Sequence, residues 1–200
     1  GNVSLLHFTD CHAQLLPLYF REPSVNIGLG DAFGRVPHRV GSYFLDYFSI
    51  PQGSPEAYAY TCLDFESMAR QFGKVGGFAH LTTVIKRMRE LRPHSLLLDG
   101  GDTLQGSATA LWTQGRDMIG ASKLLGVDIM TGHWEFTYGM DRVRAIIDGE
   151  LDPIEFLAQN VVLTEDATFD DNPAYDPESG QEFKPYTLRE LNGVRVGIIG

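Results

Sequence analysis

The run Leu96-Leu97-Leu98-Asp99-Gly100-Gly101-Asp102 does most to limit what this chain can become. It is apolar without alternation, too short for a helix, and stopped by two glycines. A strand buried on both faces of a parallel sheet reads this way. Parallel strands need long crossovers, and helix-period segments stand between further runs of the same kind. "VSLLHFTD", "VDIMTG", "FLAQNVV" and "VRVGIIG" read as the other strands. "VGGFAHLTTVIKRMREL" places Leu81, Val84, Ile85, Met88 and Leu91 at helical spacing, with Pro93 as a stop. "RDMIGASKLLG" reads as a helix closed by Gly126, and "MDRVRAIIDG" as another. Strands alternating with helices predict the α/β class.

Two stretches interrupt this alternation. Residues from about 17 to 74 are rich in Gly, Pro and aromatics, and so long a connection predicts a lid or a substrate wall inserted into the domain, with a peripheral excursion as the alternative. Residues 164–187 are acidic and turn-rich and are expected to be solvated. The first ten residues show no basic region or cleavage site of a leader. A chain that starts and stops at a strand is expected to be a piece of a longer domain.

Charge excludes some partners. The net charge of −10 repels phosphate backbones and argues against non-specific nucleic-acid binding, though not against a small anion held by local cations. Apolar residues make up 43% of the chain, enough for a core, yet no run approaches the roughly 18 apolar residues that a membrane span needs. Two cysteines, Cys11 and Cys62, are too few for a disulfide framework.

The strand ends carry the chemistry. "VSLLHFTD" runs out into Asp10-Cys11-His12, where strand alternation would send Asp10 and His12 to one face and Cys11 to the other. The second run ends at Asp102 and the third at His133. Taken singly, an Asp after Gly-Gly is a turn residue and a lone His is a packed core residue. Taken together, at the carboxyl ends of strands where open α/β sheets bind ligands, they predict a metal site. Carboxylate and imidazole without thiolate suit Mn, Fe, Zn or Mg. A water held by two such ions, rather than a side chain of this stretch, is the expected catalyst. Cys11 is expected to be packing, and His80 is expected to stay outside the site.

These blocks resemble a known family. Asp10-x-His12, Gly100-Gly101-Asp102 and "GHWEFTYG" at Gly132–Gly139 are similar to the D-x-H, G-D and G-N-H-E blocks of the calcineurin-like metallophosphoesterases, in their 5′-nucleotidase branch. The likeness covers nearly the whole chain apart from the long connection. It implies a layered α/β sandwich of the metallophosphoesterase type. Residues 1–200 would form a partial N-terminal domain with an insertion at about 17–74, and further ligand blocks and a C-terminal domain would lie beyond residue 200. The resemblance implies that Asp10 and His12 bind one metal, that Asp102 bridges two, and that His133, standing where the family has Asn, binds the second. Glu135 would orient its segment. Trp134 stands where the family has the His that protonates the leaving group, and Thr137 where nucleotidases place an Asp behind that His. Indole cannot shuttle a proton, so the expected leaving group needs little protonation, as a thiol-derived one would.

The longer blocks "HFTDCHAQLLPLYFREP", "DTLQGS" and "GHWEFTYG" narrow the resemblance to the sulfate thiol hydrolases of thiosulfate oxidation. That likeness implies a periplasmic enzyme with two divalent ions, most readily Mn(II), and a SoxYZ-type sulfur carrier protein as partner. The reaction implied is release of sulfate from a cysteine S-thiosulfonate. Substrate-binding residues are not readable, and Arg21 and Arg39 are no more than candidates for meeting the sulfonate. Two rivals stand beside this reading: an ordinary phosphoesterase or 5′-nucleotidase, and a non-catalytic metal-binding scaffold.

Overall fold

The computed structural model describes residues 3–19, 28–164 and 174–200. In chain order its regular elements are β1 (Leu5–Phe8), α1 (Gly41–Phe48), α2 (Pro55–Tyr60), α3 (Phe65–Phe72), α4 (Phe78–Leu91), β2 (Leu96–Asp99), α5 (Ala108–Thr113), α6 (Arg116–Leu125), β3 (Ile129–Met130), α7 (Met140–Ala145), β4 (Glu155–Phe156), β5 (Tyr186–Leu191) and β6 (Val194–Ile199). Contacts divide the chain into two compact units. One is Gly1–Leu15 with Leu81–Gly200, and the other is Leu16–His80.

The first unit carries a four-stranded sheet in the order β1-β2-β3-β4, every pair parallel. Its register matters for function. Phe8 lies opposite Asp99, Asp99 opposite Met130, and Met130 opposite Phe156. The chain therefore leaves the sheet along a single row, and whatever follows each strand by two or three residues gathers at one edge. Leu97, Ile129 and Met130 are buried within this sheet, as the unbroken apolar runs require. Helix α6 buries Met118, Ile119, Ser122 and Leu125, one face at helical spacing. Gly126 closes it in the left-handed region at φ 81°, donating to the carbonyls of Ser122 and Lys123. Arg89 joins helix to sheet, donating to Gly126 O at 2.7 Å and Asp128 Oδ2 at 2.8 Å, while Asp128 also accepts from Leu97 N.

Several expectations are corrected. The apolar stripe of α4 is mostly not buried: Ile85 is, but Val84, Met88 and Leu91 are exposed. The segment 156–162 is not a strand throughout, since pairing with β3 stops at Phe156. "VRVGIIG" does form a strand, but as one arm of an antiparallel hairpin with β5 rather than as a member of the parallel sheet. The hairpin turns at Asn192-Gly193, both with positive φ, the signature of a two-residue hairpin loop. Of the stretch expected to be solvated, Glu182 and Phe183 are in fact buried, and Arg144 caps Glu182 at 2.6 Å.

The Leu16–His80 unit has a core of its own, built from Leu45, Ala57, Tyr58 and Met68 with Phe44, Phe65 and Phe72 packed around them. Ser54 caps α2, accepting from Ala57 N at 3.1 Å, and Pro55 takes the first turn, where its missing N–H costs nothing. Tyr58 donates its hydroxyl to Gly73 O at 2.6 Å, and Leu18 and Val75 exchange backbone bonds that close the unit's ends. The Arg39 guanidinium lies 4.1 Å over the Tyr47 ring. Arg21 lies outside the described residues.

Candidate metal centre

Asp10, Asp102 and His133 each follow a strand of the parallel sheet by two or three residues, beyond the row Phe8, Asp99 and Met130. Strand alternation is not what brings Asp10 and His12 together, because β1 ends at Phe8. Asp10, His12 and Ala13 all have positive φ, at 56°, 47° and 52°, so the chain coils into a left-handed turn there. Such backbone is costly for residues with a Cβ and persists where surrounding bonds hold it. The bonds are present. Asp10 N donates to Gly101 O at 2.9 Å, His12 N to Asp102 O at 2.8 Å, and Ala13 N to Thr103 O at 3.2 Å.

The loop Gly101–Leu104 is thus bonded on both sides. Its carbonyls face the Asp10–Ala13 turn. Its N–H groups face Glu135, whose carboxylate accepts from Asp102 N at 3.1 Å, Thr103 N at 2.7 Å and Leu104 N at 3.0 Å. Glu135 also accepts from His133 N at 2.8 Å. Buried backbone donors need partners, and here one side chain serves four of them. Glycine is required at two close approaches. A Cβ on Gly101 would meet the backbone of Gly132 and His133 at 3.0 Å, and one on Gly106 would meet His12 O at 2.5 Å.

The side chains converge. Ligand atoms of Asp10, Asp102 and His133 all lie within 4.8 Å of one another. His133 Nδ1 is 3.2 Å from Asp102 Oδ2. His12 Nε2 is 3.5 Å from that same oxygen and 3.8 Å from Asp10 Oδ1. Asp102 Oδ2 therefore faces both imidazoles, while Oδ1 accepts from the Gln105 amide. The His133 side chain is 58% exposed, which removes the core-histidine alternative. Two carboxylates and one imidazole within mutual reach, with the His12 imidazole beside Asp102, are the donor types that a borderline or hard divalent cation takes, so the residues fit such an ion.

The electrostatics behind the opening were not foreseen from sequence. Burial pushes the Asp99 carboxyl up to about 7, against hydrogen bonds from Thr103 and Gly101 that pull it down. Its Oδ1 accepts from Thr103 Oγ1 at 2.8 Å and Gly101 N at 3.0 Å. The signal available in the sequence was its place as the last residue of the apolar run. Burial, with the Asp99 charge second, pushes the Cys11 thiol up to about 12, so it stays protonated and behaves as packing. Trp134 is half-exposed beside His133, ring centroids 6.0 Å apart, and Thr137 donates to the Trp134 carbonyl at 2.7 Å. Gln105, which orients Asp102, and Thr9, which donates to Asp10 Oδ2 at 2.6 Å, were also missed. Among the described residues His80 is exposed and is not part of the donor cluster.

The sheet and its strand-end donors define the class: the fold is that of the calcineurin-like metallophosphoesterases. The calcineurin-like phosphoesterase YfkN from Bacillus subtilis shares this fold over 98% of the chain and 46% of its own length, with a TM-score of 0.54 at 20% identity. Within that class the likeness is to the sulfate thiohydrolase SoxB, in the 5′-nucleotidase branch. SoxB from Thermus thermophilus matches 100% of this chain with a TM-score of 0.80 and 32% identity. The 5′-nucleotidases of Rattus norvegicus and Bos taurus are 31% and 33% identical over 127 and 129 residues, 63% of the chain in each case. The chain spans 20% and 21% of those two proteins and 35% of SoxB. No sequence model of a protein family matches it.

Proposed function

We propose that this chain is part of a metal-dependent hydrolase that frees sulfate from a cysteine S-thiosulfonate on a carrier protein. The observation that carries this reading is the approach of Asp10, Asp102 and His133 to within 4.8 Å, beside an indole at the position after His133. Similarity to SoxB over the whole of this chain, which spans 35% of SoxB, supports it. Asp10, His12, Asp102 and His133 would be the residues that hold the cations. Two divalent ions held there would supply a water of lowered pKa and positive charge to meet the sulfonate. Water gives its oxygen to the terminal sulfonate sulfur, the S–S bond to that sulfur breaks, the electron pair stays on the carrier sulfur, and the two protons of the water pass to solvent. Trp134 donates at most one hydrogen bond and no proton, which suits a sulfur leaving group: even a thiol, with a pKa of about 8.5, is far more acidic than an alcohol. The carrier is proposed as a SoxYZ-type protein, the metal as manganese and the compartment as the periplasm. Among the described residues no helix is long and apolar enough to cross a membrane.

The test is sulfate release by the full-length protein from carrier-bound S-thiosulfonate with Mn(II), against a chelator-treated control. Sulfate no faster than the control would end this reading. A second reading, nucleotide phosphoesterase, is favoured by the identity to mammalian 5′-nucleotidases. The pair H133N and W134H separates the two. If the wild type is tuned to sulfur leaving groups, the double variant gains phosphatase activity at least about tenfold, a part of the roughly 10²- to 10⁴-fold that a well-positioned general acid supplies. Strong nucleotide hydrolysis by the wild type would favour the rival.

A further inference from the structure

We infer that Glu135 is a positioning residue that couples the two ligand-bearing loops, so that Asp102 and His133 hold or lose a cation as one unit. The inference rests on the metal-centre reading and concerns a residue outside the donor cluster itself. Both carboxylate oxygens are fully engaged with backbone. Oε1 accepts from Thr103 N and Leu104 N at 2.7 and 3.0 Å, and Oε2 from Asp102 N and His133 N at 3.1 and 2.8 Å. Glu135 is 2% exposed. A buried carboxylate is strongly disfavoured unless fully hydrogen-bonded, and four charge-assisted bonds supply that.

The topology makes the bond set a coupling rather than a local turn. Three of the donors follow β2 and the fourth follows β3, about thirty residues later in the chain. The β2–β3 ladder ends at Asp99–Met130, so these loops have left the sheet that would otherwise keep them in register. Glu135 takes over from the sheet there. Neither neighbouring residue type can do this fully. A Gln side chain keeps one accepting oxygen and turns an NH₂ group toward donors. An Asp side chain keeps the charge but sits one methylene short.

The experiment uses the full-length protein with E135Q and E135D. Hydrogen exchange reads the clamp: in E135Q the amides of Asp102, Thr103, Leu104 and His133 should lose protection together while that of Leu97 in β2 keeps it. Mn(II) titration by calorimetry reads the consequence, with an expected weakening of about 10- to 100-fold, the usual cost of losing a partner that orients a ligand. E135D should fall between the two proteins, and it carries the same test if E135Q does not fold. Unchanged protection at those four amides overturns the inference whatever the metal does. So does loosened exchange with Mn(II) affinity intact, which would leave Glu135 a structural residue. Wild-type protein that takes up no Mn(II) sinks the metal-centre reading beneath it, whereas wild type that binds Mn(II) as tightly as E135Q sinks the coupling alone.

Discussion

The two halves of the candidate centre are held in different ways. Asp102 is buried, with a 2% exposed side chain, and its loop is gripped through its N–H groups by Glu135. Asp10 and His12 are on the surface, with side chains 51% and 58% exposed, in a left-handed turn that hangs on the carbonyls of that same loop. The inner loop has the Glu135 bonds besides those it shares with the outer turn. Damage inside should spread outward, and damage outside should stay local.

The largest effect expected is from D102N in the full-length protein. Losing the oxygen that faces both imidazoles should weaken Mn(II) binding by more than the roughly 100-fold that loss of an orienting partner costs. The outer substitution H12Q should cost at least tenfold less, both read by metal titration. Equal losses would break the asymmetry. A smaller effect concerns pH and the metal-free protein. Burial holds the Asp99 carboxyl near 7 in the folded state, above its ordinary value. Between about pH 4 and 7 the unfolded chain has released this proton while the folded chain keeps it, so the stability it confers is full at low pH and lost as pH rises. The stability of wild type relative to D99N should then shrink by up to about 1.4 kcal/mol per pH unit across that window. Urea unfolding checks it, and a flat difference would place Asp99 outside the electrostatics of the inner loop. The smallest effect is G106A. A side chain there meets His12 O and needs φ near 125°, which predicts a loss of about 1–3 kcal/mol in urea unfolding. Unchanged stability would show that the outer turn yields freely to the loop beside it.

Much of the framework was legible because it depends on local pattern. Helix α6 and its Gly126 stop follow from spacing and a left-handed cap, and β2 from an unbroken apolar run. Helix α5 was not legible, since Leu111 and Trp112 on it are exposed and make no apolar stripe. Strand β5 was hidden by Arg189 and Glu190, although the Asn192-Gly193 pair just beyond it was a usable hairpin signal. The helices of the long connection were not legible: three of them pack around Tyr58, because its aromatics find one another across segments that no short window compares.

At the site the division has the same cause. The sequence by itself determined which residue types end the apolar strands: Asp10, His12, Asp102 and His133, and the indole that follows. A parallel sheet with one register sends all strand ends to the same edge, so their meeting needed no further information. Only the tertiary structure decided how they meet. The left-handed turn at Asp10–Ala13, the engagement of Glu135 with four amides and the burial of Asp99 are bonds between segments far apart in the chain. Their strength comes from exclusion of water, which no local pattern of residues encodes.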